Sequence, residues 1–185
     1  MKGGVLALQG DFREHAHVLA DLGIAPVEVR RPDDLAQVDL LVIPGGESTT
    51  IGKLAVSAGL VEPIRERATE GMPMLGTCAG MIVMAERVRG GEPLLSLVDI
   101  TVRRNAYGRQ VDSFESDVEV DGIDHPIKAV FIRAPMVEDV GPDVRVLGRH
   151  EGHPVVLEQG NLVVASFHPE LAGETRLHEY VAGKA

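Results

Sequence analysis

The sequence has a single cysteine, Cys78, among its 185 residues. One cysteine excludes an internal disulfide framework and a cysteine-only zinc site, so the hydrophobic core has to hold the fold. A chain of this length can do so, since it buries roughly 70% of its unfolded surface on folding. We therefore expect one domain over residues 1–185, in the reducing environment of the cytoplasm.

Long apolar runs are also missing. No uninterrupted stretch approaches the roughly 20 apolar residues that a membrane span needs. The first residues, MKGGVLALQGDFREH, carry one lysine and an apolar run that is too short for a signal peptide. We expect a soluble protein that has no membrane partner.

Positive charge is in deficit. The chain has 18 Lys and Arg against 28 Asp and Glu, a formal net charge of -10. Such a chain is repelled by phosphate backbones. A nucleic acid is therefore not an expected partner.

The sequence does contain apolar runs of strand length that alternate with helical patterns. The buried-strand pattern predicts strands within residues 3–10, 25–31, 39–46 and 72–77. Asp11 and Glu14 have the spacing of a capping box for a first helix, and residues 49–70 indicate two short helices broken around Gly59. This order predicts an α/β fold with an open, mostly parallel, doubly wound sheet and flanking helices.

After about residue 98 the strand-like segments follow one another with Gly, Asp and Pro between them. No long helical face separates them, which predicts a β-rich antiparallel extension in the second half. A short helix is expected around residues 175–182.

Cys78 lies in GTCAGM, between Gly76 and Gly80. The spacing matches the G-x-S-x-G elbow, in which a tight strand-to-helix turn lifts a nucleophile out of the sheet. The helical pattern AGMIVMAERV follows at once, and the positive end of a helix dipole favours a thiolate. Free cysteine is also a common buried hydrophobe, but the order strand, Gly, Cys, Gly, helix favours the nucleophile.

A thiolate nucleophile needs a base. His168 follows the apolar run LVVASF, and Glu170, two residues on, could orient the imidazole as the third member of a triad. Of the other histidines, His15, His17 and His178 have the pattern of exposed helix residues, and the rest lie in turns. A capped strand end without a catalytic task is the alternative for His168.

The segment PGGES, residues 44–48, follows the third predicted strand. Glycines let backbone N–H groups approach an oxyanion closely. Gly46 could supply one donor, and Ala79, just after the nucleophile, the other. Taken alone, an ordinary turn with Ser48 or Thr49 as helix N-cap is the better explanation of this segment, and the two interpretations do not exclude each other.

Together, PGGES, GTCAG and HPE resemble the class I (triad) glutamine amidotransferases. More narrowly, the chain is similar to the glutaminase subunits of pyridoxal phosphate synthases. The similar blocks span nearly the whole chain in family order and are LALQGDFREH (6–15), PGGESTTIGKL (44–54), GTCAGMI (76–82), RRNAYGRQVDSFE (103–115), FIRAP (131–135) and ASFHPEL (165–171).

The resemblance implies hydrolysis of L-glutamine to glutamate and ammonia, with Cys78 as nucleophile, His168 as proton carrier and Glu170 as orienting group. It also implies that the glutamine contacts a set of six residues, which are Gly46, Glu47, Ser48, Arg104, Ile132 and Arg133. Ion pairing at the surface of an acidic protein is the alternative for both arginines.

The resemblance further implies that the ammonia passes to a separate synthase subunit, a (β/α)8 barrel, in a hetero-oligomer that makes pyridoxal phosphate. Gln9 matches a family position at the interface with that subunit. No cofactor and no metal are expected on this chain.

Two other functions stay open at this point. A free-standing cysteine amidase or γ-glutamyl hydrolase of the same fold would keep the cysteine and the histidine without needing a partner. A non-catalytic regulatory binding module is possible as well, although every triad position is filled.

Overall fold

The computed structural model describes residues 1–104 and 113–185. Along these ranges the strands are β1 (Lys2–Leu6), β2 (Ala25–Val29), β3 (Leu40–Ile43), β4 (Met74–Thr77), β5 (Ala85–Arg89), β6 (Val98–Arg103), β7 (Phe114–Val118), β8 (Ile127–Phe131), β9 (Met136–Val140), β10 (Arg145–His150), β11 (His153–Gln159) and β12 (Leu162–Ala165). The α-helices are α1 (Phe12–Asp21), α2 (Pro32–Leu35), α3 (Ser48–Ser57), α4 (Val61–Thr69), α5 (Ala79–Met84) and α6 (Arg176–Ala182).

The main sheet has the strand order β10-β11-β12-β4-β3-β1-β2. The five strands from β12 to β2 are parallel, whereas β11 pairs with β12 and β10 pairs with β11 in antiparallel fashion. This arrangement confirms the predicted open, mostly parallel α/β sheet with an antiparallel extension.

The rest of the second half forms smaller β-structures. A three-stranded sheet has the order β5-β6-β9, and β7 pairs with β8 in a hairpin. The β-rich second half and the short C-terminal helix are therefore confirmed.

The main sheet is buried on both faces, which explains why its strands are almost wholly apolar. Successive side chains of a strand point to opposite faces. Leu41 and Ile43 of β3 accordingly pack into one core cluster, and Leu40 and Val42 pack into the other. Helices and the smaller β-structures cover each face.

Two local predictions in the first half are wrong. The helix after Cys78 ends at Met84, and AERV belongs to β5, because these residues pair with β6. The six-residue α5 offers a smaller dipole than the predicted longer helix. Asp11 does precede α1, but its side chain makes no capping hydrogen bond.

Candidate active site

Four loops meet at the carboxyl edge of the main sheet, because β1, β3, β4 and β12 are neighbours that run in the same direction. This is the edge where open α/β sheets bind ligands. The loops after β3, β4 and β12 are the three that the sequence predicts to carry chemistry. The loop after β1, residues 9–11, lies beside them.

Cys78 occupies a sharp turn between β4 and α5. Its φ of 48° and ψ of -104° form a backbone conformation that a residue with a side chain adopts only at a cost. The Cys78 N–H donates to the carbonyl oxygen of Ala165 at 2.8 Å, which ties the turn to β12. The predicted strand-to-helix elbow is therefore present.

The two glycines beside Cys78 are sterically required. A Cβ at Gly80 would lie 2.0 Å from the carbonyl oxygen of Ile43. A Cβ at Gly76 would lie 2.6 Å from the sulfur of Met84 and 2.9 Å from the backbone of Gly80. Only glycine lets α5 pack this closely against the ends of β3 and β4.

His168 follows β12 and is held from two sides. The backbone N–H of His168 donates to the carbonyl oxygen of Val130 at 2.8 Å. The ring Nδ1 lies 2.7 Å from Oε1 of Glu170. The ring packs against Gly45, where a Cβ would lie 2.3 Å from the imidazole Cε1. The first glycine of PGGES therefore makes room for the imidazole.

The imidazole and the carboxylate of this pair perturb each other. Burial by itself would lower the pKa of His168, but the neighbouring Cys78 sulfur and Glu170 outweigh it and raise the pKa to about 10. Burial would likewise raise the pKa of Glu170, but His15 and His168 hold it far below its usual range. The pair is therefore an imidazolium and a carboxylate at neutral pH.

Asp11 is a second carboxylate at His168 that sequence reasoning missed, since it was interpreted only as a helix cap. Its Oδ2 lies 3.4 Å from Nδ1 of His168. Partial burial raises the pKa of Asp11, and the charge of His168 partly offsets this. Its place just beyond the carboxyl end of β1 was a usable signal.

Two histidines that the sequence predicts to be exposed are buried, and that prediction is wrong. His15 is 0% exposed and His178 is 2% exposed, whereas His17 is exposed as predicted. His15 Nδ1 lies 2.7 Å from Nε2 of His178. His15 Nε2 lies 3.4 Å from Oε2 of Glu170, so the two histidines lie behind the His168–Glu170 pair, on the side of Glu170 away from His168 Nδ1.

The PGGES segment ends in a helix cap, but the cap is Glu47 instead of Ser48 or Thr49. The Glu47 carboxylate accepts from the N–H groups of Thr49 and Thr50 at 3.0 and 2.7 Å. It also pairs with Arg104 at 3.1 Å. The hydrogen bonds from Thr49 and Thr50 lower the pKa of Glu47 to about 2, with the hydroxyl of Thr50 contributing most.

The loop after β1 holds PGGES in place. The Glu47 N–H donates to Oε1 of Gln9 at 2.7 Å, and the Asp11 N–H donates to the carbonyl oxygen of Gly45 at 3.1 Å. Gly10 has a φ of +95° and a Cβ there would lie 1.8 Å from the Gly45 oxygen, so glycine is needed at this crossing.

A cleft of about 440 Å³ opens at this edge of the sheet. It is lined by every sequence-predicted site residue other than Glu170, which lies buried behind His168. Sequence reasoning did not predict three further lining residues, which are Asp11, Ile82 and Leu171. The catalytic and binding roles of the predicted residues stay predictions.

Part of the resemblance cannot be placed in the cleft. Most of RNAYGRQ, from residue 105 to residue 110, lies outside the described residues. Arg104 is described and lines the cleft.

Within residues 1–104 and 113–185, one group of side chains has the composition of a metal site: Asp11, His168 and Glu170. The imidazole Nδ1 that would have to bind the ion already faces Glu170 Oε1 at 2.7 Å. Hydrogen bonding explains the arrangement, and we place no metal there.

Solved structures with the same architecture are known. A crystal structure described as a glutamine amidotransferase has a TM-score of 0.95 and 47% sequence identity, covering 100% of this chain and 98% of that one. PurLQS from Thermotoga maritima, at 18% identity and a TM-score of 0.74, shares the fold. The fold, with a cysteine elbow at this edge of its sheet, is that of the class I glutamine amidotransferases.

Sequence comparison narrows the class. The chain belongs to the SNO glutamine amidotransferase family, whose model matches residues 5–184. The pyridoxal 5'-phosphate synthase subunit PdxT of Acidothermus cellulolyticus is 57% identical over 186 residues, covering 96% of this chain and 90% of that protein. PdxT of Carboxydothermus hydrogenoformans is 50% identical over 186 residues, covering 100% of this chain and 97% of that protein.

Proposed function

We propose that the chain is the glutaminase subunit of a pyridoxal phosphate synthase, which hydrolyses L-glutamine to L-glutamate and ammonia. The observation that carries the proposal is the meeting of Cys78 and His168 at one cleft, with Glu170 hydrogen-bonded behind His168, in a member of a glutamine amidotransferase family. The names of relatives that match nearly the whole chain support the pathway.

In the first half of the reaction, Cys78 attacks the side-chain carbonyl carbon of glutamine as a thiolate. A carbon–sulfur bond forms and the carbonyl electrons move onto the oxygen. His168 gives its Nε2 proton to the amide nitrogen, the carbon–nitrogen bond breaks and ammonia leaves a γ-glutamyl thioester. The raised pKa of His168, about 10, supports this order because the imidazole is already protonated when substrate arrives.

In the second half, water attacks the thioester carbon while His168 Nε2 accepts a proton from it. The carbon–sulfur bond breaks, the Cys78 thiolate returns and glutamate leaves. Glu170 keeps its hydrogen bond to Nδ1 throughout and so fixes the orientation of the ring. No cofactor and no metal are needed for these steps.

The cleft also offers the groups that the substrate needs. Backbone N–H groups of Gly46 and Ala79 would stabilise the oxyanion, because both residues line the cleft that contains Cys78. Arg104 and Arg133 suit the substrate carboxylate. Glu47, already engaged with Arg104, would contribute by holding that guanidinium, while Ser48 and Ile132 line the remaining wall.

The partner in this proposal is a (β/α)8-barrel synthase subunit that uses the ammonia in a hetero-oligomer. Gln9 is the residue proposed to meet it. Since the Gln9 side chain accepts from the Glu47 N–H and touches Gly46, a contact with Gln9 would be transmitted to the oxyanion loop. Docking would then settle the loop and switch on hydrolysis.

The described residues include no helix that is both long enough and apolar enough to span a membrane. We propose a cytoplasmic location from the single unpaired cysteine. We also propose that residues 1–185 form one domain, since both core clusters pack on the same sheet.

The decisive experiment is co-purification with the synthase subunit, followed by a glutaminase assay of wild type, Cys78→Ala and His17→Asn. We expect Cys78→Ala to be inactive and the exposed His17→Asn to match wild type. Turnover by Cys78→Ala would refute the mechanism. Full activity of the isolated chain would favour a free-standing amidase, and failure of a glutamine-analogue electrophile to label Cys78 in the complex would favour a non-catalytic module.

A further inference from the structure

His15 lies directly behind the His168–Glu170 pair. It comes from α1, is 0% exposed, and uses both ring nitrogens. Nε2 lies 3.1 Å from the hydroxyl of Thr77 and 3.4 Å from Oε2 of Glu170. Nδ1 lies 2.7 Å from Nε2 of His178 on α6. The imidazole therefore joins the end of β4 and the turn after β12 to a second helix.

The Glu170 carboxylate needs such a neighbour. Oε1 faces His168, but Oε2 is buried and has no hydrogen-bond partner of ordinary length among the described residues. An unpaired buried carboxylate oxygen is costly. The nitrogen aimed at it is His15 Nε2, so the state of His15 decides whether Oε2 meets a proton or a lone pair.

The contacts of His178 assign that state. His178 Nδ1 is buried and has no hydrogen-bond partner in the described part of the chain. An unpaired lone pair costs less there than an unpaired N–H, so the proton of a neutral His178 sits on Nε2. This N–H donates to His15 Nδ1, which leaves the proton of His15 on Nε2, facing Thr77 and Glu170.

We infer that His15 is a positioning residue. It donates from Nε2 towards Glu170 and so keeps Oε1 of Glu170 turned to His168, while His178 fixes the tautomer of His15. The inference rests on the proposed function, because it assigns Glu170 to the orientation of a working His168. His15 touches neither substrate nor reacting atoms; it acts only through Glu170.

Two substitutions separate the ring nitrogens. The amide nitrogen of His15→Gln takes the place of Nε2 and keeps a donor for Glu170. The amide oxygen of His15→Asn takes the place of Nδ1 and still accepts from His178, but no donor reaches Glu170. His17→Asn, on the exposed side of the same helix, is the matched control.

All variants are assayed for glutamine hydrolysis in complex with the synthase subunit. For His15→Asn we expect kcat to fall by about 10- to 100-fold, the rate equivalent of one hydrogen bond to a charged group, with KM nearly unchanged. We expect His15→Gln to retain most of kcat and His17→Asn to equal wild type.

The pH profile is a readout that a merely structural role would not move. The titratable groups that face Glu170 are Asp11 just before α1, His15 on α1, His168 after β12 and His178 on α6, with Cys78 next to His168. Glu170 in turn raises the pKa of His168 through its hydrogen bond and its charge. Without the His15 donor, Glu170 holds the His168 imidazolium less firmly and the pKa of His168 falls. The alkaline limb of kcat/KM therefore moves to lower pH by roughly one unit in His15→Asn and stays in place in His15→Gln.

Equal losses in the Gln and Asn variants with the wild-type pH profile would overturn the inference, as would wild-type activity of His15→Asn. If His15→Asn does not fold, nitrogen-15 NMR of the wild-type imidazoles decides: a proton on His15 Nε2 supports the inference and a proton on Nδ1 alone refutes it. Cys78→Ala is assayed alongside, since its continued turnover would refute the proposed function whatever the His15 variants do.

Discussion

Replacing His178 by glutamine should make the protein less sensitive to mild acid. His178 is 2% exposed, and burial, followed by the nearby His15, lowers its pKa from 6.5 to about 3. The fold therefore keeps this imidazole neutral at pH values where the unfolded chain protonates it. Glutamine keeps a donor at the position of Nε2 but does not titrate.

The sign and size follow from proton linkage. Between pH 6.5 and about 3 the unfolded state binds the additional proton, so the free energy of unfolding rises with pH in this window and is lost as the pH falls. Lowering the pH from 7 to 5 covers about 1.5 pH units of this window. The free energy of unfolding of wild type therefore falls by about 2 kcal/mol from this residue. His168, whose raised pKa changes the stability between pH 6.5 and about 10, is present in both proteins and cancels from their difference.

Urea unfolding followed by circular dichroism at both pH values measures this difference. We expect wild type to lose about 2 kcal/mol more than His178→Gln between pH 7 and pH 5. The exposed His17→Gln serves as control and should behave as wild type. Equal losses in wild type and His178→Gln would refute the reasoning.

Two further predictions concern the loops. Gly80→Ala places a Cβ 2.0 Å from the last carbonyl oxygen of β3 and should lower the free energy of unfolding in urea by about 1–3 kcal/mol. The control Gly52→Ala, whose Cβ has no neighbour nearer than 3.6 Å, should stabilise α3. Equal losses in the two variants would contradict the steric argument. Glu47→Ala removes a helix cap and should cost about 0.5–2 kcal/mol. Because Arg104 loses its anchor, the KM for glutamine should rise too, whereas Glu62→Ala, which breaks an exposed ion pair, should leave KM unchanged.

The main sheet and the three chemical loops could be predicted because each has a local signal. Apolar runs of strand length mark buried parallel strands, and glycines or a proline mark where each strand ends. Parallel strands bring their carboxyl ends to one edge of the sheet, so loops that follow such strands, as PGGES, Cys78 and His168 do, lie near one another. The cleft that contains all three agrees with this.

The burial of His15 and His178 was missed because histidine was interpreted from its polarity alone. Both residues have the spacing of core positions: His15 lies three and four residues before the buried Val18 and Leu19, and His178 lies three residues before Val181. That periodicity was a usable signal. Hydrogen bonds between α1, α6 and the turn after β12 compensate for the burial of these imidazoles. Spacing along the sequence could not predict them.

The other errors have long-range causes as well. AERV has a helical pattern but is a strand because β6, more than ten residues later, pairs with it. Ser48 and Thr49 are better intrinsic N-caps than glutamate. Glu47 takes the position because its N–H is held by Gln9 and its carboxylate by Arg104, neither of which is close in sequence.

The two ends of the cleft are held by different kinds of contact, and this bears on where a partner could act. His168 and Glu170 rest on a buried network that ends in His15 and His178, so displacing them would break hydrogen bonds in the core. The PGGES loop around Gly46 is held mainly by glycine crossings and by exposed contacts of Gln9. A docking subunit that reaches this surface can move the loop at small cost while leaving the imidazole in place. Control of hydrolysis by a partner should therefore appear in oxyanion stabilisation and kcat, with little change in the pKa of His168.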